Sequence, residues 1–173
     1  ADLVADQLEA VMTDICPMAA KTGMLGTVEI IEAVAARVEE YELTNLIVDP
    51  VMVATSGDRL LEDEAVTVLR DKLLPRALIL TPNLAEASVL VGFPVTDSES
   101  IRRAGRHILE MGCRSVVIKG GHRRNDADDY FFDDSGYRVF SSPRLTDSPL
   151  HGTGCSFSAA IAAAVAGGAA PAA

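Results

Sequence analysis

The residues His151-Gly152-Thr153-Gly154-Cys155 run directly into an apolar stretch from Ser156 to Val165. A glycine-rich turn entering a helix gathers backbone N–H groups and the positive end of the helix dipole at one point. Such a point favours anions, phosphate above all. Gly152 and Gly154 carry no Cβ, so a phosphate can approach the backbone closely. Cys155 stands where the same N–H groups would stabilise a thiolate. A plainer use fits these residues equally well: a glycine-bearing loop before a core helix with a buried cysteine.

The other polar residues of interest fall where strands are predicted to end. Asp49 closes the apolar run Asn45–Asp49 and precedes Pro50, and Asn83 and Glu86 follow Ala77–Leu80. Lys119, with Gly120, Gly121 and His122, ends the run Ser115–Lys119. Each has a duller use. Asp49 can open a turn, Glu86 can lie on a solvated helix face, and Lys119 can snorkel from an apolar strand. Met24 and Met52 can be core fillers. Together, two acids, a lysine and an anion-cradling helix start form a phosphoryl-transfer set: metal ligands, a charge clamp and oxyanion-type donors. The motif Gly-x-x-x-x-Gly-Lys-[Ser/Thr] is absent, which excludes an ordinary P-loop.

Elements that could position this set are legible along the chain. Leu3, Val4, Leu8, Val11, Met12 and Ile15 recur at helical spacing. A short strand and loop over Met18–Leu25 lead to a helix from Thr27, its N-cap, to Tyr41, with Ile30, Ile31, Val34 and Val38 facing inward. Helices are also expected over Glu62–Leu74, over Asn83–Val91 with Gly92 as stop, and from Asp97 or Ser98 to Met111 with Gly112 as stop. They alternate with buried strands at Asn45–Asp49, Ala77–Leu80 and Ser115–Lys119. Tyr130–Phe132 and Tyr137–Phe140, joined by Asp133-Asp134-Ser135-Gly136, predict an exposed hairpin. The alternation predicts an open α/β domain with a largely parallel sheet, whose ligands gather at the carboxyl ends of the strands.

Composition narrows the partners. The 173 residues are 49% apolar and 23% charged, as in a single soluble domain able to bury a core. The net charge of −10 argues against nucleic acid and anionic membrane surfaces, so phosphate binding must come from local geometry and metal ions. The sequence has no membrane-length apolar run and no basic-then-apolar leader pattern. Cys16, Cys113 and Cys155 are far apart, as are His107, His122 and His151, which argues against zinc and for reduced, cytoplasmic thiols.

Taken in order, several motifs resemble the hydroxymethylpyrimidine/phosphomethylpyrimidine kinases of thiamine biosynthesis, within the ribokinase-like fold. They are Lys21-Thr22-Gly23-Met24-Leu25, Asp49-Pro50-Val51-Met52 with Ser56-Gly57, and Thr81-Pro82-Asn83-Leu84-Ala85-Glu86-Ala87. Lys119-Gly120-Gly121-His122 and His151-Gly152-Thr153-Gly154-Cys155 complete the set, which covers essentially the whole chain. The resemblance implies a three-layer αβα kinase domain over residues 1–173, with N-terminal and C-terminal parts of the family fold missing. It implies ATP and magnesium as cofactors. The substrates would be small molecules: hydroxymethylpyrimidine, then its monophosphate. It further implies that Cys155, where the wider group carries Asp, takes the proton from the hydroxymethyl group. The backbone of Gly152, Thr153 and Gly154 would hold the transferring phosphoryl. Asp49, Asn83, Lys119 and Gly121 would meet the nucleotide phosphates, together with Gly152 and Gly154. Met24 and Val51, with Cys155, would line the pyrimidine pocket, and Glu86 with Asp49 would hold magnesium through water. Ser156 stands where Thr is commoner, and Thr146–Leu150 is an unusual approach to the glycine motif. A pyridoxal/pyridoxine kinase of the same fold and a non-catalytic nucleotide-binding fragment are the alternatives. Dimers are common in the family, which makes a homodimer an expectation.

Overall fold

Helix starts along this chain are set by side-chain caps where the sequence supplies them. The computed structural model describes residues 1–53, 59–120, 128–142 and 152–171. The Thr27 hydroxyl accepts the Ile30 N–H at 3.4 Å and opens α2 (Val28–Glu40), which follows α1 (Asp2–Asp14) and β1 (Ala20–Thr22). Asn83 and Glu86 form a reciprocal capping box on α4 (Leu84–Val91), and Asp97 with Ser100 forms another on α5 (Ser98–Leu109). Gly92 ends α4 in the left-handed conformation, as predicted.

Between these helices lie β2 (Leu46–Val48), β3 (Ile79–Leu80) and β4 (Val116–Ile118), and α3 (Asp63–Val68) links β2 to β3. Two further strands, β5 (Asp129–Asp133) and β6 (Gly136–Phe140), precede the last helix, α6 (Thr153–Ala166). The six-stranded sheet runs β1-β2-β3-β4-β5-β6, parallel from β1 to β4 and antiparallel thereafter. Sequential strands paired in one direction bring their crossover helices to one face when every crossover is right-handed. That face is covered by Ile31, Val34 and Val38 of α2 and Ile101, Ala104 and Ile108 of α5, packed with Leu46, Val48, Leu80, Val116 and Ile118. On the opposite face, Phe157, Ile161 and Val165 of α6 meet Ile47, Ile79, Val117 and Phe131. The layers are therefore helices, sheet and α6, the expected αβα order.

Two expectations need correction. The helix predicted over Glu62–Leu74 is α-helical only to Val68, then widens into a π-turn over Leu69–Leu73 and tightens to a 3₁₀ turn over Leu74–Arg76. Pro75 is the reason: it has no N–H to give and its ring clashes with an α-helical carbonyl four residues back. The widened turn still buries Leu69, Leu73 and Leu74 together. The hairpin at Tyr130–Phe140 is exposed only along β6. β5 pairs with β4, and Tyr130, Phe131 and Phe132 are buried, because a helical layer covers each face of that strand.

Gly105, inside α5, makes room for this strand. A Cβ there would lie 2.5 Å from the buried Phe132 ring. Helix propensity favours Ala over Gly by about 1 kcal/mol. The ring cannot yield, so we expect Gly105→Ala to destabilise the fold by about 1–3 kcal/mol, measured as a lowered urea midpoint.

Candidate active site

The parallel strands share one carboxyl edge, and the pleat decides which side chains meet there. Ile47, Ile79 and Val117 face α6, so Asp49, Thr81 and Lys119, each two residues further on, face the same way. Lys21, opposite Ile47 in the register, joins them. The Asp49 carboxylate is 2% exposed. Its Oδ1 accepts Lys119 Nζ at 3.0 Å and Thr81 Oγ1 at 3.3 Å, and its Oδ2 accepts Ser158 Oγ at 3.1 Å. Ser158, fully buried, also lies 3.1 Å from the carbonyl oxygens of both Gly154 and Cys155. One carboxylate thus ties β2, β3 and β4 to the first turns of α6. Asp49 is no mere turn former.

The start of α6 differs from those of α4 and α5. Its N-cap is Gly152, held at φ +83°, a conformation that strains any residue with a Cβ, and glycine supplies no capping side chain of its own. A Cβ at Gly154 would lie 3.3 Å from Lys119 Nζ, so the first turn rests against the ammonium. Helix dipole and lysine converge on the same point, an arrangement suited to a phosphoryl group. Cys155, the third residue of α6, is exposed there, which removes the buried-cysteine alternative.

Lys119 and Asn83 are bridged through their backbones, and the Lys119 N–H donates to the Pro82 carbonyl at 2.9 Å. The motif after β3 is therefore held beside the one after β4. Glu86 is 3% exposed and is not on a solvated face; its Oε2 accepts the Asn83 N–H at 2.8 Å. Burial pushes its carboxyl up to about 7, against the Asn83 N–H and the Lys119 charge, which pull it down. The Asp49 charge adds to the rise and the Met52 N–H opposes it. A carboxyl raised from its ordinary 4.5 contributes stability that is complete below that value and is lost as pH climbs through about 7. In chelator, Glu86→Gln should therefore lose less stability than the unmodified chain between about pH 5 and about pH 8, by roughly 1–3 kcal/mol in urea titrations.

At the end of β4, a Cβ on Gly120 would lie 1.8 Å from the Asp128 carbonyl oxygen, and the Gly120 N–H donates to Asp129 Oδ1 at 2.9 Å. Met24 and Val51 follow β1 and β2 at the same edge, Met24 being 55% exposed. Gly121, His122, Ser56, Gly57, the Thr146–Leu150 segment and His151 lie outside the described residues. Thr81 and Ser158 are partners of Asp49 that sequence reasoning missed. Thr81 had a signal, since Thr81-Pro82 ends its strand as Asp49-Pro50 ends the neighbouring one. Ser158 offered only its place one turn beyond Gly154. Among the described residues, no helix is long and apolar enough to cross a membrane, and no three His, Cys, Asp or Glu side chains cluster as a metal cage.

Comparison with known proteins agrees with this geometry. The chain is 46% identical over 166 residues to the thiamine biosynthesis bifunctional protein ThiED of Geobacter sulfurreducens, covering 95% of this chain and 34% of that protein. It is 43% identical over 164 residues to the hydroxymethylpyrimidine/phosphomethylpyrimidine kinase of Escherichia coli, covering 94% of this chain and 62% of that one. An ADP complex of Bacillus subtilis pyridoxal kinase matches with a TM-score of 0.92 at 38% identity, over 99% of this chain and 65% of that one. The chain thus spans less than two thirds of the length of these relatives. The family model described as phosphomethylpyrimidine kinase, in contrast, matches residues 1–173 without remainder, and the chain belongs to that family.

Proposed function

We propose that this chain carries the phosphoryl-transfer centre of a kinase with two successive acceptors in thiamine diphosphate biosynthesis. The γ-phosphoryl of ATP passes first to the hydroxymethyl group of 4-amino-5-hydroxymethyl-2-methylpyrimidine, then to the resulting monophosphate. The observation that carries this reading is the buried Asp49 carboxylate, paired with Lys119 and locked through Ser158 against the glycine-bearing start of α6. The names of the 46% and 43% identical relatives support the pyrimidine as substrate.

In this mechanism the backbone N–H groups from Gly152 to Cys155 receive the transferring phosphoryl, and Lys119 offsets its charge. Asn83 and Gly121 flank the nucleotide phosphates, and Asp49 orients the lysine. Cys155 takes the proton of the acceptor hydroxyl, and Met24 and Val51 line the pyrimidine pocket. The donor set suits magnesium: Glu86 and Asp49 are hard oxygen ligands, buried within electrostatic reach of each other, and would hold the ion through water. When bound, that ion neutralises phosphate charge and orients the leaving group.

Pyridoxal is the second reading, favoured by the TM-score of 0.92 to Bacillus subtilis pyridoxal kinase. A coupled ADP-release assay with magnesium-ATP decides between them. It is run on this chain and on one extended at both ends to the length of the Escherichia coli relative. Turnover of the pyrimidine supports the first reading; preference for pyridoxal keeps the mechanism and replaces the substrate. Silence of the extended chain with both leaves a nucleotide-binding fragment and overturns the kinase. Silence of the shorter chain alone assigns part of the site to the added segments.

A further inference from the structure

We propose that Lys21 is a second phosphate-binding cation of this site, serving the phosphate that the substrate itself carries in the second transfer. The latter clause rests on the function proposed above. Lys21 is the middle residue of β1, directed to the α6 face, and its side chain is 21% exposed. Its Nζ is 4.0 Å from Asp49 Oδ2 and has no hydrogen bond to any described residue. Asp49 has no need of it. Oδ2 already accepts Ser158, and Oδ1 accepts Lys119 and Thr81. Lys119 has further carboxylates in electrostatic reach, Glu86 and Asp129, whereas Asp49 is the only one within ion-pair distance of Lys21 among the described residues. A mostly buried ammonium with unused donors calls for an anionic acceptor.

Two glycines stand in matching places beside the two ammoniums. A Cβ on Gly23 would lie 3.3 Å from Lys21 Nζ, as one on Gly154 would lie 3.3 Å from Lys119 Nζ. A side chain at either position would crowd the ammonium, which would have to shift by a few tenths of an ångström. Both lysines are therefore left approachable, Lys119 from the helix start and Lys21 from the loop that leads on to Met24.

The two transfers make different demands. In the first, a neutral alcohol attacks the γ-phosphorus, its proton passes to a base, and the bond to the ADP oxygen breaks. In the second, an oxygen of the phosphate monoester attacks while the same bond breaks. A monoester with a second pKa near 6 is already mostly dianionic at neutral pH. No hydroxyl proton has to be removed, but two anions have to be brought together. A cation unneeded in the first step is required in the second, and Lys21 is the unspent one.

Lys21→Met and Lys21→Gln, in the extended chain of the previous section, test this with both acceptors. Each is expected to raise the KM for the monophosphate about 10- to 100-fold, leaving kcat/KM for the hydroxymethyl compound within about threefold. Equal losses on both acceptors, or none on the monophosphate, would overturn the proposal. So would unfolding of both variants, since the charge would then belong to Asp49. A ³¹P NMR titration with inorganic phosphate is independent of turnover and stands even if the unmodified enzyme phosphorylates neither compound. The unmodified chain should bind phosphate about tenfold more tightly than Lys21→Met, and equal binding would sink the idea.

Discussion

Replacing Cys155 with Ala should lower kcat for the hydroxymethyl acceptor by about 10²- to 10⁴-fold, the usual contribution of a positioned general base. Nucleotide affinity should hardly change. The substitution removes one exposed sulfur from the third position of α6 and leaves the backbone N–H groups in place. It touches neither the Ser158–Asp49 bond nor the ion pair with Lys119. The loss should also be unequal between the two steps. The monophosphate brings an ionised oxygen and no proton to remove, so its transfer should suffer much less. Initial rates with each acceptor, with ADP affinity from calorimetry, read all three effects. An equal fall with both acceptors would remove Cys155 from the role of base. Lys21→Met is expected to reverse the pattern, so the two variants dissect one site by the charge of its acceptor.

The second large effect is on stability as well as rate. Lys119→Met takes away the ammonium 3.0 Å from a carboxylate that is 2% exposed. A buried charge that loses its partner costs about 3–5 kcal/mol. Thr81 and Ser158 still donate to Asp49, and Lys21 stands 4.0 Å away, so the lower end of that range is expected, about 3 kcal/mol. Adding Asp49→Asn removes the stranded charge and should return part of the loss; the double-mutant cycle in urea gives the coupling directly. A coupling near zero would mean the pair is screened after all. Turnover of both acceptors should fall in Lys119→Met, because the role proposed for this lysine is toward the donor nucleotide common to the two steps.

Much of this protein follows from residues close together in its sequence. Thr27, Asn83 and Asp97 cap their helices through N–H groups three residues away, and Gly92 ends a helix by its own left-handed backbone. Such contacts need no distant partner, so the succession of strands and helices was legible, and with it the edge where Asp49, Asn83, Lys119 and Gly152–Cys155 gather. Pro75 could have announced the π-turn, but how far a helix widens depends on which leucines the core takes.

The rest was decided in three dimensions. That Tyr130–Phe132 lies inside the sheet depends on β5 pairing with β4 beneath Gly105. A solvated helix face was the duller of two uses open to Glu86, since a helix-start acid usually has one, yet the folded chain buries it. The partners of Asp49 come from 70 residues away at Lys119 and 109 residues away at Ser158. The sequence by itself determined which elements form and at which end of the sheet the candidate site residues gather, since propensity, caps and alternation act over a few residues. Tertiary structure alone decided which oxygen of Asp49 meets which donor, and that Lys21 stands 4.0 Å from that carboxylate without a hydrogen bond to any described residue, because those contacts exist only once the register of four strands and the seat of α6 are set.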